Sequence, residues 1–150
     1  MNTLTKPHHL AAAMLAAHLE LIGKDMQRWI ELFADDAVVV FPYAPSLGRP
    51  DRLVGKAAID GYFRGTPGIF RELAFRDLRL HPALDLELAI AEVHGSALIA
   101  TTGKRYEQDY VMVLRTREGR ISSYHEYWNP MLALEAFGGA EGIPAIGGQA

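Results

Sequence analysis

The spacing of apolar residues along this chain changes its period near residue 70, from a helical repeat to a strand alternation. Before that point Leu10, Met14, Ala17 and Leu21 recur at helical spacing, and Gly23 ends the run. Thr5 as a cap and Pro7 in the first turn predict where this helix starts. A second helix is expected behind Asp25, with Met26, Trp29, Ile30 and Phe33 at i, i+3, i+4 and i+7, so that Trp29 and Phe33 face the core. The stretch "ADDA" (34–37) closes it as a helix-stop turn, and "VVVF" (38–41) reads as a buried strand. After the Pro/Gly-rich loop "PYAPSLGRPD" a third helix is predicted over 56–64, with Ile59, Tyr62 and Phe63 on one side and "GTPG" as its stop. Strands are then expected over 73–81, 86–94, 96–102, 106–115 and 120–128, with Glu118-Gly119 as a tight hairpin turn. Asn129-Pro130 caps a short helix, "MLALEAF".

Three helices followed by an antiparallel meander is an α+β order, a single domain over 1–137 with a mobile, Gly-rich tail over 138–150. Two strands, "VVVF" and "YVMVL", are apolar at successive positions, which asks for cover on both faces of the sheet. The helices can cover only one. A second copy of the chain, packed sheet to sheet, is the expected cover for the other, giving a homodimer.

Composition narrows the partners. The 150 residues carry a net charge of −3 and no cluster of Lys or Arg, so no nucleic acid is expected. There is no cysteine, hence no disulfide and no thiolate chemistry. No run approaches the ~18 apolar residues of a membrane span. "LAAAMLAA" imitates a signal core, but His18 and Glu20 follow at once in the helical pattern, and a cytoplasmic protein is expected. The six histidines form no HxxxH or HExxH pair, and GxSxG, Walker and GxGxxG motifs are absent. Neither a metal nor a cofactor is expected.

One carboxylate stands apart. Glu126 lies between Tyr124, Tyr127 and Trp128, late in an apolar strand. Ser122, Tyr124, Glu126 and Trp128 share one face of that strand, and Ser123, His125 and Tyr127 share the other. If the first face is concave, Glu126 enters an aromatic cavity, where burial raises its pKa and suits it to general acid/base work. If the second is concave, His125 points inward and Glu126 faces solvent or a subunit contact. Pattern alone admits both. On the preceding strand Tyr106, Gln108, Tyr110, Met112 and Leu114 share a face that is polar at one end and apolar at the other, like a pocket wall. His94 shares parity with Glu92 and reads as a structural histidine.

The series "MQRWIELFADDAVVVFPYAP", "LVGKAAIDGYF" and "YEQDYVMVLRTREGRISSYHEYWNP" is similar to the SnoaL-like group of the nuclear transport factor 2/ketosteroid isomerase superfamily, nearest to the phenazine-biosynthesis A/B proteins. The resemblance spans roughly residues 10 to 137. It implies a strongly curved antiparallel sheet wrapped as a cone around three helices and an apolar pocket, usually in a homodimer. It also implies that Glu126 points inward, because the acid/base glutamate of the phenazine proteins and the catalytic aspartate of the SnoaL cyclases both fall on it. This chain departs from the phenazine pattern on the third helix. The histidine expected there is Tyr62, while the hydroxyl one turn later survives as Thr66.

The expected function is a cofactor-independent acid/base enzyme, of isomerase, cyclase or dehydratase type, acting on a small apolar carbonyl compound or a polyketide- or phenazine-like metabolite. Glu126 would move the proton, and Tyr62, Tyr43 or Tyr106 would polarise the oxygen. Trp29, Phe33, Phe41, Thr66, Gln108, Tyr110 and Trp128 would complete the pocket. The alternative is a non-catalytic ligand-binding or accessory subunit with the same pocket.

Overall fold

The computed structural model describes residues 10–144. The Thr5 cap, the Pro7 turn and the last part of the expected mobile tail lie outside the described residues. Helix α1 (Ala11–Leu21) buries Ala11, Met14, Leu15 and His18, a stripe at i, i+3, i+4 and i+7. It closes through Ile22 N–H donating to His18 O, with Gly23 at φ 78°. Asp25 Oδ1 then accepts from Arg28 N at 3.1 Å and caps α2 (Met26–Ile30).

The helical spacing runs on to Phe33, yet α2 ends at Ile30 and Phe33 is the first residue of strand β1 (Phe33–Val40). Backbone pairing overrides periodicity, since Ile121 N donates to Leu32 O at 2.8 Å and Phe33 pairs with Ile121. "ADDA" is accordingly strand, not turn. Asp35 and Asp36 are exposed where the β1 register shifts, and Asp36 pairs with Arg117.

Beyond a 3₁₀ turn (Ala44–Leu47), a three-residue strand β2 (Arg52–Val54) leads to α3 (Lys56–Phe63). The "GTPG" stop opens a further short helix, α4 (Thr66–Ile69), with Pro67 in its first turn. Four long strands follow: β3 (Phe70–His81), β4 (Leu88–Ile99), β5 (Arg105–Arg117) and β6 (Arg120–Tyr127). The β5–β6 turn has Glu118 at φ 52° and Gly119 at φ 77°, the paired positive dihedrals of a two-residue hairpin. Asn129 Oδ1 accepts from Met131 N and caps α5 (Pro130–Phe137) as expected.

The six strands form one sheet in the order β2-β1-β6-β5-β4-β3. Every pairing is antiparallel except β1 with β6, which is parallel. The expected all-antiparallel meander is thus interrupted where the last strand returns to the first. The sheet curves strongly around the helices. In β3 the register slips twice, next to Glu72 (φ 55°) and Asp77 (φ 56°), and such bulges bend a strand.

The expected break at Gly95 does not occur, because β4 runs through it. The inward positions of β4 are Ala89, Ala91, Val93, Gly95, Ala97 and Ile99, mostly small, which leaves room beneath the sheet. At Gly95 a Cβ would lie 2.8 Å from Tyr110 Cε2 and 3.1 Å from Phe75 Cε1. The glycine is there for close approach, not for a turn. Gly95→Ala would gain about 0.5–1 kcal/mol in backbone entropy. Overpacking two aromatic rings costs about 1–3 kcal/mol. The variant is therefore expected to be less stable in urea denaturation; equal or greater stability would contradict the packing described.

Candidate functional site

Strand β6 lies in the middle of the sheet, between β1 and β5, and carries Tyr124 and Glu126 on its concave side. His125 points outward, so the first of the two strand placements holds. Around Glu126 is a cavity of about 110 Å³. Phe41, Tyr62, Phe63, Thr66, Tyr106, Tyr110 and Trp128 line it together with Glu126, and His18 reaches it from α1. Apolar side chains of α4, β3 and α5 complete the wall.

Ile143 and Pro144 also line the cavity. Arg49 holds this segment: its Nη2 donates to Ala140 O at 3.0 Å and to Ile143 O at 2.9 Å.

A chain of polar side chains runs from Glu126 into the core. Tyr124 Oη donates to Glu126 Oε2 at 2.7 Å. His18 Nε2 lies 3.2 Å from Tyr124 Oη, and Trp29 Nε1 donates to His18 Nδ1 at 2.8 Å. Burial pushes the Glu126 carboxyl up to about 7, against the opposing pull of the Tyr124 hydrogen bond. Burial pushes His18 down to about 3, so it is neutral. Tyr62, Tyr106 and Tyr110 are raised by burial and further by the neighbouring Glu126 charge, so their phenols stay protonated. Tyr106 Oη accepts from Gln108 Nε2 at 3.0 Å, which leaves its own proton available.

Seven of the eleven side chains expected from the sequence meet at this cavity: Glu126, Tyr62, Phe41, Thr66, Tyr106, Tyr110 and Trp128. Four do not. Trp29 is fully buried behind His18, packed at a tilt against Phe33 and Phe63 at centroid distances of 4.7 and 4.8 Å. Phe33 lies deeper, at the start of β1. Tyr43 is half exposed and packs edge-on against Tyr127, away from the cavity. Besides its bond to Tyr106, Gln108 donates to Asn129 O at 2.9 Å and accepts from Asn129 N at 3.0 Å. It anchors the start of α5 rather than facing a ligand.

His18 and Tyr124 were missed. Each reads as an ordinary aromatic position in its own element, and only their meeting across 106 residues gives them a polar role. His94 is structural as expected, bridging Asp109 at 2.8 Å and Glu107 at 2.7 Å on the convex face.

An aromatic cavity with a single near-neutral carboxyl, in a cone of this topology, defines a class of small-molecule pocket proteins. The pattern of the SnoaL-like domain matches residues 12–124, and the chain belongs to that family. It is 39% identical over 140 residues to the uncharacterized protein YesE of Bacillus subtilis, covering 93% of this chain and 92% of the relative. It is 38% identical over 137 residues to the uncharacterized PhzA/B-like protein PA3332 of Pseudomonas aeruginosa, covering 91% and 96%. A crystal structure of a Bacillus subtilis protein provisionally assigned as an isomerase superposes with a TM-score of 0.79 at 40% identity, covering 86% of this chain and 93% of that one. Among the described residues no helix is long and apolar enough to cross a membrane.

The electrostatics make a prediction about stability. A carboxyl whose folded pKa is raised binds its proton more tightly when folded, so stability falls as pH rises from about 4.5 to about 7 and then levels off. Glu126→Gln removes this dependence. The variant should gain on the wild type by about 2–3 kcal/mol between pH 4.5 and pH 8 in urea titrations. The difference cancels His94, whose pKa is also raised, by its two carboxylate partners. A constant offset across that range would mean that Glu126 is not desolvated.

Proposed function

We propose that this chain is an acid/base enzyme that moves a proton next to the carbonyl of a small, uncharged, largely apolar compound, without a cofactor. The observation that carries the reading is the Glu126 carboxyl, raised to about 7 by burial and set among three protonated phenols on the cavity wall. Near neutral pH such a carboxyl is both a competent base and, once protonated, a competent acid. Ionised, it takes the proton alpha to the carbonyl. The negative charge then moves to the substrate oxygen, where a phenol donates a hydrogen bond. Tyr62 and Tyr106 are the assigned donors, with the Thr66 hydroxyl on the same wall. The apolar remainder excludes water and selects by shape, in a volume that suits a compact ring system. Kinship with the SnoaL-like family supports this reaction class, which includes isomerisation and cyclisation.

Glu126→Gln keeps an acceptor for Tyr124 and should keep fold and ligand affinity. Turnover of cyclic ketones and enones, followed as solvent proton exchange, should fall by at least ~10²-fold. In the wild type kcat/KM should rise with pH through about 7, as the base ionises. Binding without exchange in the wild type would support a non-catalytic ligand-binding subunit, and undiminished exchange in Glu126→Gln would remove Glu126 from the chemistry.

We propose separately that a second copy of the chain packs on the convex face. There Ile90, Val113, His125 and Val40 form one cross-strand row, and Val111, 39% exposed, pairs with Tyr127 in the next. Apolar residues in adjoining rows at the middle of a sheet suit an isologous contact. Sedimentation should show a dimer at micromolar concentration, and a monomer after Val111→Arg. A wild-type species of only 16.6 kDa would contradict this.

A further inference from the structure

The polar chain behind Glu126 has a direction that its chemistry imposes. An indole N–H can only donate, so His18 Nδ1, 2.8 Å from Trp29 Nε1, must present its lone pair. His18 is fully buried and neutral, so its one ring proton is on Nε2. That proton points at Tyr124 Oη, 3.2 Å away, which therefore accepts. The single Tyr124 hydroxyl proton is left for Glu126 Oε2, at 2.7 Å. Three donors in series thus point the same way, from α2 through α1 to β6, and end on one carboxyl oxygen. Among the described residues no protein group bonds Glu126 Oε1.

We propose that His18 is a positioning residue for Glu126: locked in one tautomer by Trp29, it fixes the Tyr124 hydroxyl on Oε2 and leaves Oε1 turned to the cavity as the working oxygen. The inference deepens the acid/base reading of Glu126 and rests on it. The chain orients and does not conduct. It ends at an indole that cannot release its proton, and the neutral His18 does not take up a second one. A purely structural histidine would need only to satisfy Trp29. The 106-residue separation of His18 and Tyr124 instead couples the first helix to the site.

The groups that face Glu126 come from four elements. They are Tyr124 on its own strand, Tyr106 and Tyr110 on β5, Tyr62 on α3 and His18 on α1, while the Arg49 charge bears on Tyr62. All but Arg49 are neutral near pH 7, so a change in Glu126 titration reports hydrogen bonding rather than a new charge.

The test is the Glu126 titration midpoint, read by carbon-13 carboxyl NMR on the folded protein without substrate. Tyr124→Phe deletes the hydrogen bond and should raise the midpoint, with proton affinity up about tenfold. His18→Leu should shift it in the same direction by less, since the hydroxyl remains but loses its donor. His18→Gln can accept from Trp29 and donate to Tyr124, and should restore the wild-type midpoint. If His18→Leu does not fold, Trp29→Phe replaces it: freeing Nδ1 lets the imidazole present a lone pair to Tyr124 and draw its proton away from Glu126, again raising the midpoint. A wild-type midpoint in folded His18→Leu or Trp29→Phe would overturn the proposal. So would a shift in His18→Gln as large as that in His18→Leu. Failure of the acid/base reading would show separately, as full turnover in Glu126→Gln.

Discussion

Desolvation of one carboxyl organises this molecule. A glutamate moved from water into an aromatic cavity favours its neutral form, and a burial of this kind survives only with a partner for the charge. The partner here is the hydroxyl of Tyr124, two residues earlier on the same strand. Burial and hydrogen bond pull the carboxyl in opposite directions, burial wins, and the group settles near neutrality. Without the hydrogen bond it would be a neutral acid over most of the physiological range. Without the burial it would be an ordinary surface carboxylate.

The fold supplies both conditions through topology. Because the last strand returns to pair with the first, β6 occupies the middle of the sheet, where cover is deepest. The small inward residues of β4 let α1 sit close enough for His18 to reach Tyr124. Gly95 gives the Tyr110 ring its place in the cavity wall, and Gln108 fixes Asn129, from which α5 springs to close the far side. Arg49 holds the segment that carries Ile143 by two carbonyls. These contacts lie far apart in the chain and converge on one small volume.

Much of this was legible in the residues. The strand alternation from residue 70, the Glu118-Gly119 turn and the Asn129 cap are local signals, and local chemistry reproduces them. Glu126 stood out because a lone carboxylate among aromatics is costly anywhere, although which way it points came from kinship rather than from period. What stayed hidden was non-local. Phe33 fits a helical stripe and is strand because Ile121 pairs with it. Gly95 resembles a turn signal, and its reason is a ring on the neighbouring strand. Trp29 looked like a pocket wall and instead donates a hydrogen bond one layer behind it. His18 carried no signal of its own, since nothing in its helix shows that its ring meets Trp29 and Tyr124.

The most direct test of the account is the ionisation of Glu126 in the folded wild-type protein, followed by carbon-13 carboxyl NMR from pH 4 to pH 9, with Glu126→Gln to assign the resonance. A midpoint at about 7 is expected. A midpoint at the ordinary ~4.3 of a solvated glutamate would contradict it, since a carboxyl so placed is neither desolvated nor poised for proton transfer.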